Sequence, residues 1–479
     1  MTENRYELVV GLETHVELKT RTKAFCGCEN RYGAPPNTLV CPVCMGLPGT
    51  LPVLNRRAME LAALAGFALN CRVNPISSFD RKNFFYPDLP KAYQISQFDL
   101  PVCESGAVDY YSDGTLHNCR ITRIHIEEDA GKLTHESHLG GSLVDYNRCG
   151  VPLIEIVTEP DLRSSRQAKD FLETIRIILL YLGISDCKMQ EGSIRCDINV
   201  SVREKGSDVF GTRVEMKNVN SFSAAERAID YEYKRQIRLL ESGGTVEQET
   251  RRWDDVKGKN TLLRSKEDAF EYRYFPDPDL CPIVIDDAWV ARVEQEQPEL
   301  PVAKLTRYYQ QLGLPYADAE QLVFAPARAD FFDQCLALAP GSAKQIANWL
   351  LGDVAKRLNE LELDVADSLL TPQKLVSLLE LIEKGTISQS AGKKVLQEVF
   401  ESGKDPAVLI EELGLVQISD TDSIRALIEQ VLAENEKSVN DYKSGKMNAF
   451  GFLVGQSMKA SRGKANPKLV NEILKELLS

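Results

Sequence analysis

Leu12-Glu13-Thr14-His15-Val16-Glu17-Leu18 alternates, with Glu13, His15 and Glu17 at every second place. Strand side chains repeat every second residue, so the stretch predicts a strand with one buried face and one polar face. Carboxylates are depleted in strands, and an imidazole flanked by two of them calls for a reason. Three further segments read in the same way. Ile121 to Ile126 alternates in part and runs into Glu127-Glu128-Asp129; Leu153 to Glu159 puts Glu155 and Glu159 on one side; and Cys196, Ile198, Val200 and Val202 alternate with Asp197, Asn199, Ser201 and Arg203.

Working outward, residues from Tyr6 to about Arg292 read mainly as strands, interrupted by helical patterns at Arg57–Ala68, Ser165–Leu182 and Ala224–Glu241. This is an α+β pattern with a mostly antiparallel sheet. From about Val293 the period becomes helical. Lys344 to Leu361 carries Ile346, Ala347, Leu350, Leu351, Val354, Leu358 and Leu361 on one stripe. Thr371-Pro372 is an N-cap and first-turn pair, Gly385 a terminator, and another helix follows Ser388 and ends near Gly403. Later helices are expected from about Thr421, Ser438 and Met447, and a last one is capped by Asn466 with Pro467 in its first turn. The expected domains are 1–292, 293–405 and 406–479.

Cys26-Gly-Cys28 and Cys41-Pro-Val-Cys44 supply four thiolates, and the loop 26–44 reads as a structural zinc site. Four thiolates close the coordination shell, which disfavours a catalytic role. The twelve cysteines read as reduced thiols and metal ligands, which suits a cytoplasmic protein. The N-terminal residues lack a secretory pattern, and no apolar run reaches membrane-spanning length; Leu61–Leu69 includes four alanines and a glycine. The formal net charge of −13 argues against binding nucleic acid by overall attraction. Charge is nevertheless segregated: Pro406 to Glu436 holds seven acids and one arginine, whereas Lys437 to Ser479 holds eight Lys/Arg and three acids. That end could face phosphates.

Asp80 to Gln97, DRKNFFYPDLPKAYQISQ, fits neither helix spacing nor strict alternation and is expected to be an ordered loop. Arg81, Lys82 and Lys91 could hold phosphate, with Phe84, Phe85, Tyr86 and Tyr93 packing beneath it or stacking on a base. No G-x-x-x-x-G-K-[ST] occurs, so any ATP chemistry uses another cradle. Gly140-Gly141-Ser142 lacks the extended glycine–serine run of amidases, so ammonia would have to come from elsewhere.

The wording of these segments is more specific than their chemistry. GLETHVELKT at Gly11–Thr20, the Asp80–Gln97 stretch, HIEEDAGK at His125–Lys132, PLIEIVTEPD at Pro152–Asp161, EGSIRCDINVS at Glu191–Ser201, YRYFPDPDL at Tyr272–Leu280 and GFLVGQSMKASRGKANP at Gly451–Pro467 run in order over nearly the whole chain. Together they resemble the B subunits of bacterial glutamyl/aspartyl-tRNA amidotransferases. The resemblance implies a cradle-like first domain, a helical linker domain and a small helical tail. It implies ATP-dependent activation of the side-chain carboxylate of Glu-tRNA(Gln) or Asp-tRNA(Asn), then amidation with ammonia from an amidase partner, the two held together by a small third subunit. By the same resemblance Glu13, His15, Glu128 and Glu155 bind Mg²⁺ beside ATP, with manganese or zinc as alternatives because imidazole is untypical for magnesium. Lys82 and Lys91 are expected to contact phosphate or the tRNA acceptor end, and Lys446, Lys459, Arg462 and Lys464 the tRNA elbow. The competing expectation is a non-catalytic, zinc-braced tRNA-binding adaptor.

Overall fold

The computed structural model describes residues 5–136, 140–265, 272–417, 420–461 and 465–478. The chain divides into two compact units, Met1–Leu300 and Pro301–Ser479.

The first unit is α+β. In chain order it holds β1 (Tyr6–Glu17), α1 (Arg56–Ala68), β2 (Arg72–Val73), β3 (Ile76–Ser77), β4 (Asp80–Asn83), β5 (Tyr93–Ser96), β6 (Cys103–Ser112), β7 (Thr115–Glu128), β8 (Lys132–Glu136), β9 (Gly141–Asp145), β10 (Pro152–Thr158), α2 (Ser165–Tyr181), β11 (Ile194–Glu204), β12 (Val214–Lys217), α3 (Phe222–Glu241), β13 (Glu249–Asp254), β14 (Lys259–Ser265), β15 (Phe275–Pro276), β16 (Ile283–Val284) and α4 (Asp287–Glu294). Nine strands form one sheet in the order β14-β13-β12-β11-β1-β10-β7-β6-β2, antiparallel except for the β12–β13 pair. The opening segment therefore lies at the centre of the sheet, between β10 and β11.

The two faces of the sheet differ as the alternation requires. Leu12, Val16, Ile124, Ile126, Ile154, Ile156, Cys196, Ile198 and Met216 enter one apolar core with α1, α2 and α3. Asn55 caps α1 by accepting from Arg57 N, and the helix's alanines and Gly66 let it lie close to β6, where Gly66 faces Cys103 Sγ. Arg292 of α4 ion-pairs with Glu60 of α1, and Arg57 of α1 with Glu296, tying α4 and the residues after it to the first unit, which runs to Leu300.

The expected loop at Asp80–Gln97 is irregular over residues 84–92 and is flanked there by two short strands. β4 and β5 pair antiparallel, Asp80 with Ser96 through Asn83 with Tyr93, and β15 pairs with β4. Four-residue strands are too short for their period to stand out against the aromatic turn between them. Asp80 is buried and accepts from Phe98 N, and Arg81 pairs with Asp277 and Asp279, which fixes this ribbon to the Tyr272–Leu280 segment.

In the second unit the described regular elements are helical: α5 (Pro301–Thr306) running into a π-helical turn at Arg307–Gln311, α6 (Tyr316–Val323), α7 (Pro326–Leu338), α8 (Ala343–Trp349), α9 (Ala355–Leu361), α10 (Pro372–Glu383), α11 (Gln389–Ser402), α12 (Pro406–Glu412), α13 (Thr421–Glu434), α14 (Glu436–Lys443), α15 (Asn448–Ala460) and α16 (Pro467–Leu478). The Lys344–Leu361 stripe is helical throughout, with a π-helical turn at Leu350–Val354 joining α8 to α9. Thr371 and Ser388 cap α10 and α11 through their side chains. The helix that opens the expected 406–479 tail, α12, packs on α10 and α11 through buried Leu409 and Ile410. The tail's own core gathers Ile424, Ile428, Leu453, Val470, Ile473 and Leu474 from α13, α15 and α16.

Candidate functional site

Register sets the site. Across four neighbouring strands His125, Glu155, His15 and Arg195 stand side by side, and Glu13 stands opposite Asp197. All project from the polar face. His15 Nε2 lies 3.4 Å from Glu155 Oε2 and 3.6 Å from Glu127 Oε1, and His125 Nε2 lies 3.2 Å from Glu155 Oε2. One donor atom from each of His15, Glu127 and Glu155 falls within 4.8 Å of the others; Glu13, Asp197 and Glu215 form a second group of the same kind. Asn199 Nδ2 donates to Glu13 Oε1 at 2.8 Å, and the Lys217 ammonium pairs with Asp197 and with Glu215 Oε1, the latter at 3.2 Å.

The charges are tightly coupled. Burial works against a charged His15, but Glu155, Glu127 and Asp197 outweigh it and push the imidazole up to about 9. Burial likewise works against an ionised Glu155, yet His125 and His15 hold it well below the usual carboxylate range. Glu13 is raised by burial and by the nearby Glu155 charge. Next to this cluster Arg195 Nη2 donates to Asp129 Oδ2 at 2.7 Å. An open cleft of about 650 Å³ lies over the cluster, lined by His15, Lys82, Phe84, Glu127, Arg195 and Asp197 among others. Lys82 sits over the Tyr272 ring at 5.0 Å; burial disfavours its charge, and Tyr274, Glu127 and Glu155 more than restore it.

Of the residues expected to converge, His15 and Glu155 lie together with Glu127, Glu13 falls in the neighbouring group with Asp197 and Glu215, and Glu128 is in neither. β7 alternates through Ile124 and Ile126, which enter the core, so Glu128 follows them and Glu127 takes the polar side. Glu128 is buried, ion-paired with Lys91, and accepts from Ile95 N at 2.9 Å. Lys91 is turned the same way and does not line the cleft; Lys82 does. Sequence reasoning misses Glu127, Asp197, Glu215 and Arg195 as site residues. Extending the parity of Ile124 and Ile126 identifies Glu127, and pairing the polar set of β11 with Glu13 identifies Asp197.

The donors fit a divalent cation. Glu127 and Glu155 are buried carboxylates held by histidines, and buried His125 Nδ1 has no hydrogen-bond partner among the described residues. Like charges gathered out of water need a cation or protons to balance them. The four Sγ atoms of Cys26, Cys28, Cys41 and Cys44 likewise lie within 4.8 Å of one another and could hold a structural metal. Cys41 N donates to Cys44 Sγ at 3.2 Å, and the turn closes with Met45 N on Cys41 O and Gly46 N on Val43 O, both 3.0 Å. Gly46 takes a positive φ of 65° and lies against Lys91, where a Cβ would sit 2.5 Å from Lys91 Cγ. The Cys26 thiol, the Cys41 backbone and Lys23 together outweigh burial and hold Cys44 down to about 4.

In the tail, Lys446 and Lys459 are exposed, Lys446 pairing with Asp441 at 2.9 Å. Arg462 and Lys464 lie outside the described residues. Among the described residues no helix is long and apolar enough to cross a membrane.

Residues 8–291 match the family described as the GatB/GatE catalytic domain, and residues 330–478 the GatB domain. The chain is 55% identical over 476 residues to the B subunit of the aspartyl/glutamyl-tRNA(Asn/Gln) amidotransferase of Caldicellulosiruptor saccharolyticus, covering 99% of both chains. It is 54% identical over 475 residues to the protein of that name from a Thermoanaerobacter species and over 478 residues to that from Geotalea uraniireducens, covering 99% of this chain and all of each relative. With both halves of the sequence matched and identity this high from end to end, the chain belongs to the GatB family of amidotransferase B subunits.

Proposed function

We propose that this chain is the tRNA-binding component of a heterotrimeric amidotransferase working in the cytoplasm. It phosphorylates the side-chain carboxylate of Glu-tRNA(Gln) or Asp-tRNA(Asn) with ATP and amidates it with ammonia. A glutaminase subunit supplies the ammonia, and a small third subunit holds the assembly together. The observation that carries this reading is the gathering of His15, Glu127 and Glu155, with Glu13 beside them, on one polar sheet face beneath an open cleft.

A carboxylate is a poor electrophile because its leaving group would be an oxide. Attack of its oxygen on the γ-phosphorus of ATP breaks the bond to the β-phosphate oxygen, releases ADP and leaves an acyl phosphate. Ammonia then forms the C–N bond as phosphate departs, and phosphate takes the surplus proton. Phosphoryl transfer depends on positioning and charge neutralisation. In this reading His15, Glu127 and Glu155, with Glu13 alongside, would hold Mg²⁺, which would supply charge neutralisation to the triphosphate. Lys82 places a cation at the cleft wall, Arg195 helps hold Asp129 below its ordinary pKa against burial, and Lys217 pairs with Asp197. The four cysteines hold zinc and brace the loop, and Lys446, Lys459, Arg462 and Lys464 meet the tRNA elbow.

The test is reconstitution with the two partner subunits on each misacylated tRNA, with ATP and glutamine. Glu127→Gln should abolish tRNA-dependent ADP formation while tRNA binding persists. A protein that binds tRNA but turns over no ATP in either form would be an adaptor, and the reading would fall.

A further inference from the structure

Lys23 is wholly buried, yet among the described residues no carboxylate forms an ion pair with it. Its Nζ lies 3.6 Å from Cys44 Sγ and 3.4 Å from the carbonyl oxygen of Tyr146. Glu128, across Gly150 from the Lys23 stem, is paired with Lys91 instead. The position of Lys23 is fixed through its backbone: its N–H donates to Cys28 O at 3.0 Å, and its carbonyl accepts from Asn55 Nδ2 at 3.3 Å.

An ammonium removed from water without a counter-charge costs several kcal/mol, and a methionine would fill the same space without that cost. Four thiolates around a divalent ion carry a net charge of about −2, and among the described residues Cys44 Sγ is the side-chain acceptor within hydrogen-bond distance of Lys23 Nζ. We propose that Lys23 is the charge partner of the cysteine cluster, a positioning residue whose ammonium donates to Cys44 Sγ and secures a metal-bound tetrathiolate. The assignment rests on the reading of Cys26, Cys28, Cys41 and Cys44 as a metal site. Through Tyr146 O the same ammonium ties that site to the loop before Gly150, so metal and loop are held by one buried charge.

The experiment compares full-length wild type, Lys23→Met and Lys23→Arg, each purified with zinc and separately loaded with cobalt(II). Metal content per chain is measured first; a wild type that holds no metal refutes the cluster reading itself. Given one metal per chain, Lys23→Met should surrender zinc to a chromophoric chelator about 10–100-fold more readily, the range for lost partners of metal ligands. Its sulfur-to-cobalt charge-transfer band should shift, chelation should lower its Tm less than it lowers that of wild type, and Lys23→Arg should restore retention. Equal zinc retention in Lys23→Met and wild type overturns the proposal. If Lys23→Met does not fold, the cobalt spectrum of Lys23→Arg decides: a guanidinium donates from a different position, and an unmoved band overturns the assignment.

Discussion

Neutralising Glu127 removes one of the three donors formed by His15, Glu127 and Glu155, whereas neutralising Glu128 removes a buried partner of Lys91 and Ile95 N on the other side of the sheet. Glu127→Gln should therefore weaken Mn²⁺ binding, read by electron paramagnetic resonance titration, about tenfold or more. Glu128→Gln should leave that affinity near wild type while lowering Tm, because an unpaired buried Lys91 is costly. Reversal of the two results would mean that β7 is read one residue out of register. Part of this was legible: alternation put Glu13 and His15 on one face of β1 and Glu155 on a polar face of β10, and the family resemblance joined them into one site. The adjacent acids were not separated because a register shift between Val157 and Thr158, opposite Arg123 and Ile121, breaks the parity that Ile121 would set. Asp333 gives a second case. It accepts from Lys304 Nζ at 2.7 Å, Arg307 Nη2 at 2.9 Å and Tyr308 Oη at 3.0 Å. Burial would raise its pKa, but these donors hold it below the ordinary value. Its stabilising contribution is present above the unfolded-state pKa and is lost as pH falls through the lower folded one. Asp333→Asn should cost about 2 kcal/mol in neutral chemical denaturation, and the difference from wild type should shrink in acid.

Helices and strands differ in how much of their placement their own residues declare. The caps at Thr371 and Ser388 and the stop at Gly385 were readable because each rests on one side chain or one positive φ. The β4–β5 ribbon was not, because it is defined by partners far along the chain: Phe275 pairs with Arg81, and Asp277 accepts its guanidinium. Packing of α1 on β6 is also hidden from local pattern. A Cβ at Gly66 would lie 2.3 Å from Cys103 Sγ, whereas one at Gly455 in α15 would meet nothing within 4 Å. Alanine favours helix over glycine by about 1 kcal/mol, but overpacking costs about 1–3 kcal/mol. Gly66→Ala should therefore lower the denaturation midpoint and Gly455→Ala should raise or preserve it. Equal gains at both sites would show that α1 can move away from the sheet without penalty.

Across the whole chain, an acidic protein is expected to use nucleic acid only where its cations are concentrated. The formal net charge is −13, yet the last 43 residues from Lys437 carry eight Lys/Arg against three acids. Segregation of this kind lets a small basic surface attract phosphates while the acidic remainder repels non-specific RNA, so affinity depends steeply on salt. Among the described residues Lys446 pairs with Asp441 at an exposed site, a contact worth little in water and readily exchanged for phosphate. Replacing Lys446, Lys459, Arg462 and Lys464 together with Gln removes four of the eight Lys/Arg of this segment. If each neutralises one phosphate, the slope of log K against log salt should flatten by about 3–4, at roughly 0.7–0.9 per contact. Glutamine hydrolysis should be little changed, since that chemistry belongs to the glutaminase partner and none of the four residues is part of it. Filter binding across a salt series checks the slope. An unchanged slope would move the tRNA contact off the tail and onto the first unit, where Arg81, Lys82 and Arg195 already have acidic or aromatic partners and would have to release them to bind phosphate.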